Sequence, residues 1–532
     1  MKKMKIYMKL KSALVLGLFT LAACTGNYRD FNMNPDNVPD SYLDMDGLRY
    51  GSAITSMELD MIPCSDQGAN AYQRAQNLTG DIFSGQLCAI GVWNGCSNNT
   101  TYNLRFDNWN DVMFNIAFTT IMPAWKRVCT EENREKEPVT YAIAQVLKVA
   151  AMHRCTDNYG PLPYFQFGNG AMTTPYDAQD KIYESFFKDL NEAIDILEDF
   201  CEKNPDARPL KKYDLVYEGN ITKWAKFANT LKLRLAMRIV YVDPANAQKY
   251  AEEAVSTSRG VGVMTENDDN AMLHSANGIV VYHPLRVIWA MYKETCMGST
   301  MESFLKGYSD DRIGKYFHKS TLEGGDYHGA RNGIIIDDQT LYQKLSTPNI
   351  EASNKVKWMC AAEAYFLRAE GALRKWNMEG DAKGLYETGV RTSFAEWEAN
   401  IGSYLTNKEA KPAKYDDPIG NNSYSARTEI TPVYDEKASV EENLERILTQ
   451  KWIALYPEGQ EAWAEFRRTG YPKIMPVANN FSNGAVDTEI QIRRVTFPQQ
   501  EYDGNSAEVQ RAISLLGGPD TGGTKLWWDK KK

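Results

Sequence analysis

The sequence predicts a mostly α-helical protein, a TPR-like right-handed superhelix of helix pairs with irregular, loop-rich segments packed against it. Three observations carry this. At 439–472, SVEENLERILTQKWIALYPEGQEAWAEFRRTGYP, Ser439 and Glu442 form a capping box, and Leu444, Ile447, Leu448, Trp452 and Leu455 fall on one helical stripe. Pro457 and Gly459 stop that helix, and a second one buries Trp463 and Phe466 before Gly470 and Pro472. At 355–376, small residues at 361, 362, 364, 369 and 371 allow close helix approach, and MEGD at 378–381 turns the chain into a partner helix near 382–400. Such pairs are what TPR-like repeats use, although no strict 34-residue period is visible. By contrast, 260–345 and 402–438 are rich in Gly, Asn, Pro and Tyr and read as irregular segments. The helix pairs are expected at about 138–257 and 355–466.

In chain order, residues 1–23 open with five lysines and no acid, then run through SALVLGLFTLAA to Cys24. That apolar run is shorter than the about 20 residues a spanning helix needs, so it reads as a signal peptide. LAAC at 21–24 fits a lipobox: cleavage before Cys24, a thioether lipid on its sulfur and acylation of its new amino group. Several acyl chains anchor stably where one does not. Residues 24–50, rich in Asn, Asp and Pro, then form a lipidated, extended leader, and 51–532 the folded body. Asp44-x-Asp46-Gly47 resembles part of a calcium loop but fails, with Tyr42 and Ala53 at the first and twelfth positions.

Helices interrupted by a long polar loop are expected over 51–128. The loop GVWNGCSNNTTYNLRFDN at 91–108 holds Trp93, Asn94, Asn98 and Tyr102. An aromatic face beside amide donors and acceptors suits a polyhydroxylated ligand. The competing reading is a solvated loop with Trp93 as its anchor. Trp109 is expected in the core. An amphipathic helix over 138–156 carries His153 as a core histidine and ends in DNYGPLPY, where Gly160, Pro161 and Pro163 force a turn. Helices follow at 179–201, 222–241 and 245–257. In 222–241, Trp224, Phe227, Ala228, Leu231 and Leu235 line one face. Lys223, Lys226, Lys232, Arg234 and Arg238 lie mostly elsewhere, read as solvated and paired with acids. Within 279–292, IVVYHPLRVIWAMY, Tyr282, Trp289 and Tyr292 are second ligand candidates, with core packing the alternative for Trp289.

Composition excludes several classes of function. With 43% hydrophobic and 24% charged residues the chain can bury a large core. Removing the five signal lysines takes the formal charge from −9 to −14, which argues against nucleic acid. The nine cysteines show no C-x-x-C and no zinc spacing, and the five histidines no metal pair. Cys88 and Cys96, flanking the polar loop, are the pair to test for a disulfide. No G-x-S-x-G, P-loop or G-x-G-x-x-G is present, so no cofactor and no metal is expected. Glu461 and Glu465 stand four apart, but with Arg467 and Arg468 as expected partners they read as scaffold.

QKWIAL at 450–455 and EAWAEFRRTGYP at 461–472 resemble the C-terminal signature of the SusD/RagB family. TDNYGPLPY at 156–164, IYESFFKDLNEAIDIL at 182–197, KWAKFANTLKLRLAMRI at 223–239, AEAYFLRAEGALRKW at 362–376 and RRVTFPQ at 493–499 follow in family order. Pro161 stands where the family commonly has an acid. The resemblance implies a SusD-like fold and a surface-exposed, lipid-anchored nutrient-binding protein of the outer membrane. It implies oligosaccharide capture, delivery to a SusC-like TonB-dependent transporter and no catalysis. A peptide cargo, as in the RagB branch, and a secreted glycoside hydrolase are the alternatives.

Overall fold

Helix pairs form the frame, several of them started by a side-chain cap. The computed structural model describes residues 48–64, 69–106, 108–258 and 260–531; Cys24, the leader up to residue 47 and Asp44/Asp46 lie outside these. Helix α1 spans Leu48–Met61, so helix has begun before residue 50. A π-helical stretch, Gln73–Asp81, leads to strand β1, Leu87–Ala89. Helix α2, Pro138–Tyr159, starts on proline and stops at Gly160, whose φ of 86° no β-carbon favours. It packs on α3, Gln179–Lys203. Helix α4, Ile221–Arg238, is capped by Asn220, and α5, Pro244–Val255, by Asp243. The loop-rich segment follows, with β2 at Ala271–Leu273, β3 at Thr295–Met297 and β4 at Val356–Met359. The strands pair antiparallel as β1–β3 and β2–β4.

The second half repeats the pairing. Helix α6, Ala361–Leu373, packs on α7, Ala382–Glu396, and on α8, Val440–Leu455, which packs on α9, Gly459–Thr469. The α4–α6 contact joins the halves. The mostly helical class and the paired frame agree with the sequence. The capping box is formed: the Glu442 N–H donates to Ser439 Oγ and the Ser439 N–H to Glu442 Oε2. The expected stripe is buried, and Trp452 and Trp463 are at most 1% exposed.

Two features fix α9. Gly80 and Gly459 let backbones meet: a Cβ on Gly80 would lie 2.5 Å from the Gln460 nitrogen, and one on Gly459 2.4 Å from the Asp81 Cα. Around α9 lies a buried charge cluster. Arg238 pairs with Asp157, Glu461 and Glu465; Arg234 with Glu363; Lys451 with Glu461 and Glu465; Arg468 with Glu370 and Glu465. Burial raises the Glu461 carboxyl, but Arg238, Arg234 and Lys451 outweigh it and hold the group at about 2.

Two expectations change here. Glu465 does pair with Arg468, but Glu461 takes Arg238 and Lys451. Arg467 instead lies 3.5 Å over Trp463 and donates to the Asp157 and Arg493 carbonyls. Arg234 and Arg238 are not solvated either; they are buried, because their acids come from α2, α6 and α9, which no local pattern reveals. His153 is internal, its Nδ1 3.1 Å from the Val149 carbonyl, with burial lowering its basicity.

Glu58, fully buried on α1, accepts from the Leu215 N–H and faces Asp214, whose carboxylate accepts from Val216, Tyr217, Gly219 and the Trp224 indole. Burial and then the Asp214 charge push Glu58 well above its ordinary 4.5. The folded state therefore holds a proton that the unfolded chain releases as pH rises past 4.5, and stability falls with rising pH above that point. Glu58→Gln is expected to remove this slope, up to about 1.4 kcal/mol per pH unit, and to raise the melting temperature at neutral pH. Arg238→Met, which leaves buried acids short of a partner, should cost about 3–5 kcal/mol in urea titrations.

Candidate functional site

A three-residue ladder brings the two aromatic segments together. Leu87 faces Met297, Cys88 faces Cys296 and Ala89 faces Thr295. The Ile90 N–H extends the ladder by donating to the Glu294 carbonyl at 2.8 Å. Past that point one strand becomes the Trp93 loop, while the other is entered from the π-helical stretch Val287–Tyr292. Antiparallel register therefore sets Val92 and Tyr292 at the same end of the ladder. Gln73, on the first π-helical stretch, donates to Glu294 Oε2 at 2.6 Å and ties this end to the frame. Isolated π-helical turns recur at functional sites.

The loop folds on its own amides. Asn94 and Gly95 are left-handed, with φ near 50° and 57°, so the chain reverses within Trp93–Cys96. Asn98 is fully buried: its Oδ1 accepts from the Thr100 N–H, and its Nδ2 donates to the Trp93 carbonyl at 2.9 Å. Asn99 donates to the Leu78 carbonyl and to Asn110. Tyr102 is only 4% exposed and packs against Phe83, with burial raising its phenol. Asn98 and Tyr102 thus belong to the loop's interior and leave the ligand-facing set, because a compact loop must satisfy its buried backbone with the same amides that suggested a binding face. Asn94 stays exposed. Trp93 is half-buried, edge-on to Trp109 at 5.2 Å, with its ring so close over Gly91 that a Cβ there would lie 2.3 Å away.

The second segment presents the open surface. Val280, Tyr282, Met291 and Tyr292 are 60%, 48%, 72% and 37% exposed. Trp289 is half-buried: its indole donates to the Ile350 carbonyl at 2.8 Å, and Arg286 lies 4.6 Å over its ring. Arg286 pairs with Glu351 at 3.0 Å. His283 caps the following turn through Nδ1 and is held neutral, its basicity lowered by burial to about 4. Burial also raises the Glu294 carboxyl, against the Gln73 hydrogen bond. The arrangement offers flat apolar faces and an amide, and it suits non-covalent capture.

Sequence reasoning missed Val280 and Met291 as part of this surface; Val280 lies in irregular backbone and Met291 in the exposed π-helical turn, and neither place leaves a periodic signal. Cys88 and Cys96, the pair suggested by spacing, are not joined to one another; the ladder sets Cys296 opposite Cys88. Asn98→Ala, which removes an internal cap, should cost about 1–2 kcal/mol of stability in chemical denaturation. Asn94→Gly, which keeps the left-handed backbone and loses only an exposed bond to the Ser97 carbonyl, should change stability little.

The comparisons converge on one family. The family model described as "Susd and RagB outer membrane lipoprotein" matches residues 30–529. A chitin-binding SusD homologue from Flavobacterium johnsoniae is 39% identical with a TM-score of 0.87, over 91% of this chain and 99% of that one. SusD homologues from Bacteroides uniformis and Bacteroides vulgatus are 40% and 36% identical, with TM-scores of 0.83 and 0.85. They cover 91% and 93% of this chain, and 99% of each of theirs. No curated protein matches the sequence.

Proposed function

The chain belongs to the SusD-like family of SusD and RagB outer membrane lipoproteins, and from that premise we propose that it binds oligosaccharide at the aromatic surface around Trp93, Asn94, Tyr282, Trp289 and Tyr292 and passes it to a SusC-like TonB-dependent transporter. The single observation that supports the reading is the β1–β3 ladder, whose register brings the loop holding half-buried Trp93 and the exposed Met291 and Tyr292 to one end. Stacking contributes about 0.5–1.5 kcal/mol per aromatic contact beyond the area buried, so a few contacts give capture that is readily reversed. In this reading Cys24 bears the lipid, the body stands on the cell exterior, and the protein performs no covalent chemistry on its cargo.

Because the Flavobacterium johnsoniae relative is described as chitin-binding, β-linked N-acetylglucosamine oligomers form the first arm of a calorimetric panel, with other neutral glycans, acidic glycans and peptides after it. Tyr282→Ala and Trp93→Ala are each expected to weaken binding by about 2- to 13-fold, the stacking range above, with the melting temperature little changed for Tyr282→Ala. Unaltered affinity in both variants would remove this surface from the site. A panel in which only peptides bind would replace the glycan reading with a peptide one.

A further inference from the structure

The ladder between the two candidate segments also carries a pair of thiols. Cys88 on β1 lies directly opposite Cys296 on β3, and both side chains are fully buried. On either side, the Ile90 N–H donates to the Glu294 carbonyl and the Gly298 N–H to the Gln86 carbonyl. By antiparallel alternation Cys88 and Cys296 are then a hydrogen-bonded pair, with Cα atoms about 5.5 Å apart. A disulfide spans about 4.4–6.8 Å between Cα atoms. The Cys88 thiol donates to the Ala89 and Arg331 carbonyls and the Cys296 thiol to the Met297 carbonyl. Burial, then the neighbouring Cys88, pushes the Cys296 thiol well above the ordinary range. Cys96 lies in the same small apolar cluster, but it closes the 93–96 turn at φ 64° and has no place on the ladder.

We propose that Cys88 and Cys296 form an oxidation site, closing on export to a cross-strand disulfide that fastens β1 to β3. Outer membrane lipoproteins cross an oxidising compartment, where such bonds persist. Two S–H bonds are lost and one S–S bond forms. The two protons go to solvent, and the two electrons reduce the disulfide of a thiol–disulfide oxidoreductase to its dithiol, through a mixed disulfide on one of the two cysteines. In a hydrogen-bonded pair opposed Cβ atoms stand about 5.5 Å apart, the wide end of the range, against about 3.8 Å in a disulfide, so closure draws the two Cβ atoms together by about 1.7 Å. Because the folded body seals both sulfurs, closure precedes burial of the ladder.

The test is a peptide map of the exported protein, purified without reductant and alkylated in guanidinium. The expected result is one cross-linked peptide joining Cys88 and Cys296, lighter by two hydrogens, with Cys155 and Cys360 fully alkylated. Reduction should lower the melting temperature by a few degrees in the native sequence and leave a Cys88→Ser/Cys296→Ser variant unmoved. Complete alkylation of both cysteines, or a cross-link from Cys88 to Cys96, would overturn the proposal; neither result depends on a variant folding.

Discussion

The frame depends on balanced charge in its interior. Arg154, Arg234, Arg238, Arg374, Lys451 and Arg468 meet Asp157, Glu363, Glu370, Glu458, Glu461 and Glu465 at buried or nearly buried sites contributed by α2, α4, α6, α8, α9 and the turn before it. Isolated, each ion would cost several kcal/mol to desolvate, so the cluster persists only when all of these helices dock in register. That requirement penalises misaligned helix pairs more steeply than apolar packing alone, which tolerates sliding. The cluster therefore specifies the arrangement more than it deepens the stability well.

From this frame the candidate site is reached in two steps. Arg154 holds Glu458 and Gln76, and the Gly80–Gly459 approach seats the first π-helical stretch on α9. That stretch then delivers the chain into β1, and its Gln73 holds Glu294 at the far end of the ladder. A short ladder of three residue pairs could not hold its register by itself. It is held because both strands leave segments already fixed by the interior, while the surface residues beyond it remain open to solvent.

Much of the frame was legible because its signals are local. A capping box and a stripe at steps of three and four act within a turn or two, and both appear in the structure over 439–455. The partners of charged residues were not legible, since Arg238 finds Glu465 across 227 positions. Neither were the strands: three residues such as Leu87–Ala89 are too few to show an alternation, and all three are buried. In the candidate site, residue type singled out two segments but not which of their side chains reach solvent. Asn98 and Asn94 are identical in type and four apart, yet one is spent capping a turn and the other faces solvent.

Charge separates the ligand classes such a surface could favour. Residues 91–99 contain no ionisable group other than the buried Cys96 thiol, and within 280–294 Arg286 is matched by Glu351 and Glu294 is held by Gln73. His283 is neutral, which leaves Lys293 and the adjacent Glu294 carboxyl, of opposite sign, at the edge of that segment. The negative charge of the whole chain is therefore not concentrated here, and a basic peptide would find no acidic cluster to pair with. Flat faces at Trp93, Tyr282 and Tyr292 instead reward a ligand with an apolar face and a hydroxylated rim, which a sugar ring supplies without a net charge to desolvate. The physical balance at this surface thus favours an uncharged glycan over a charged cargo.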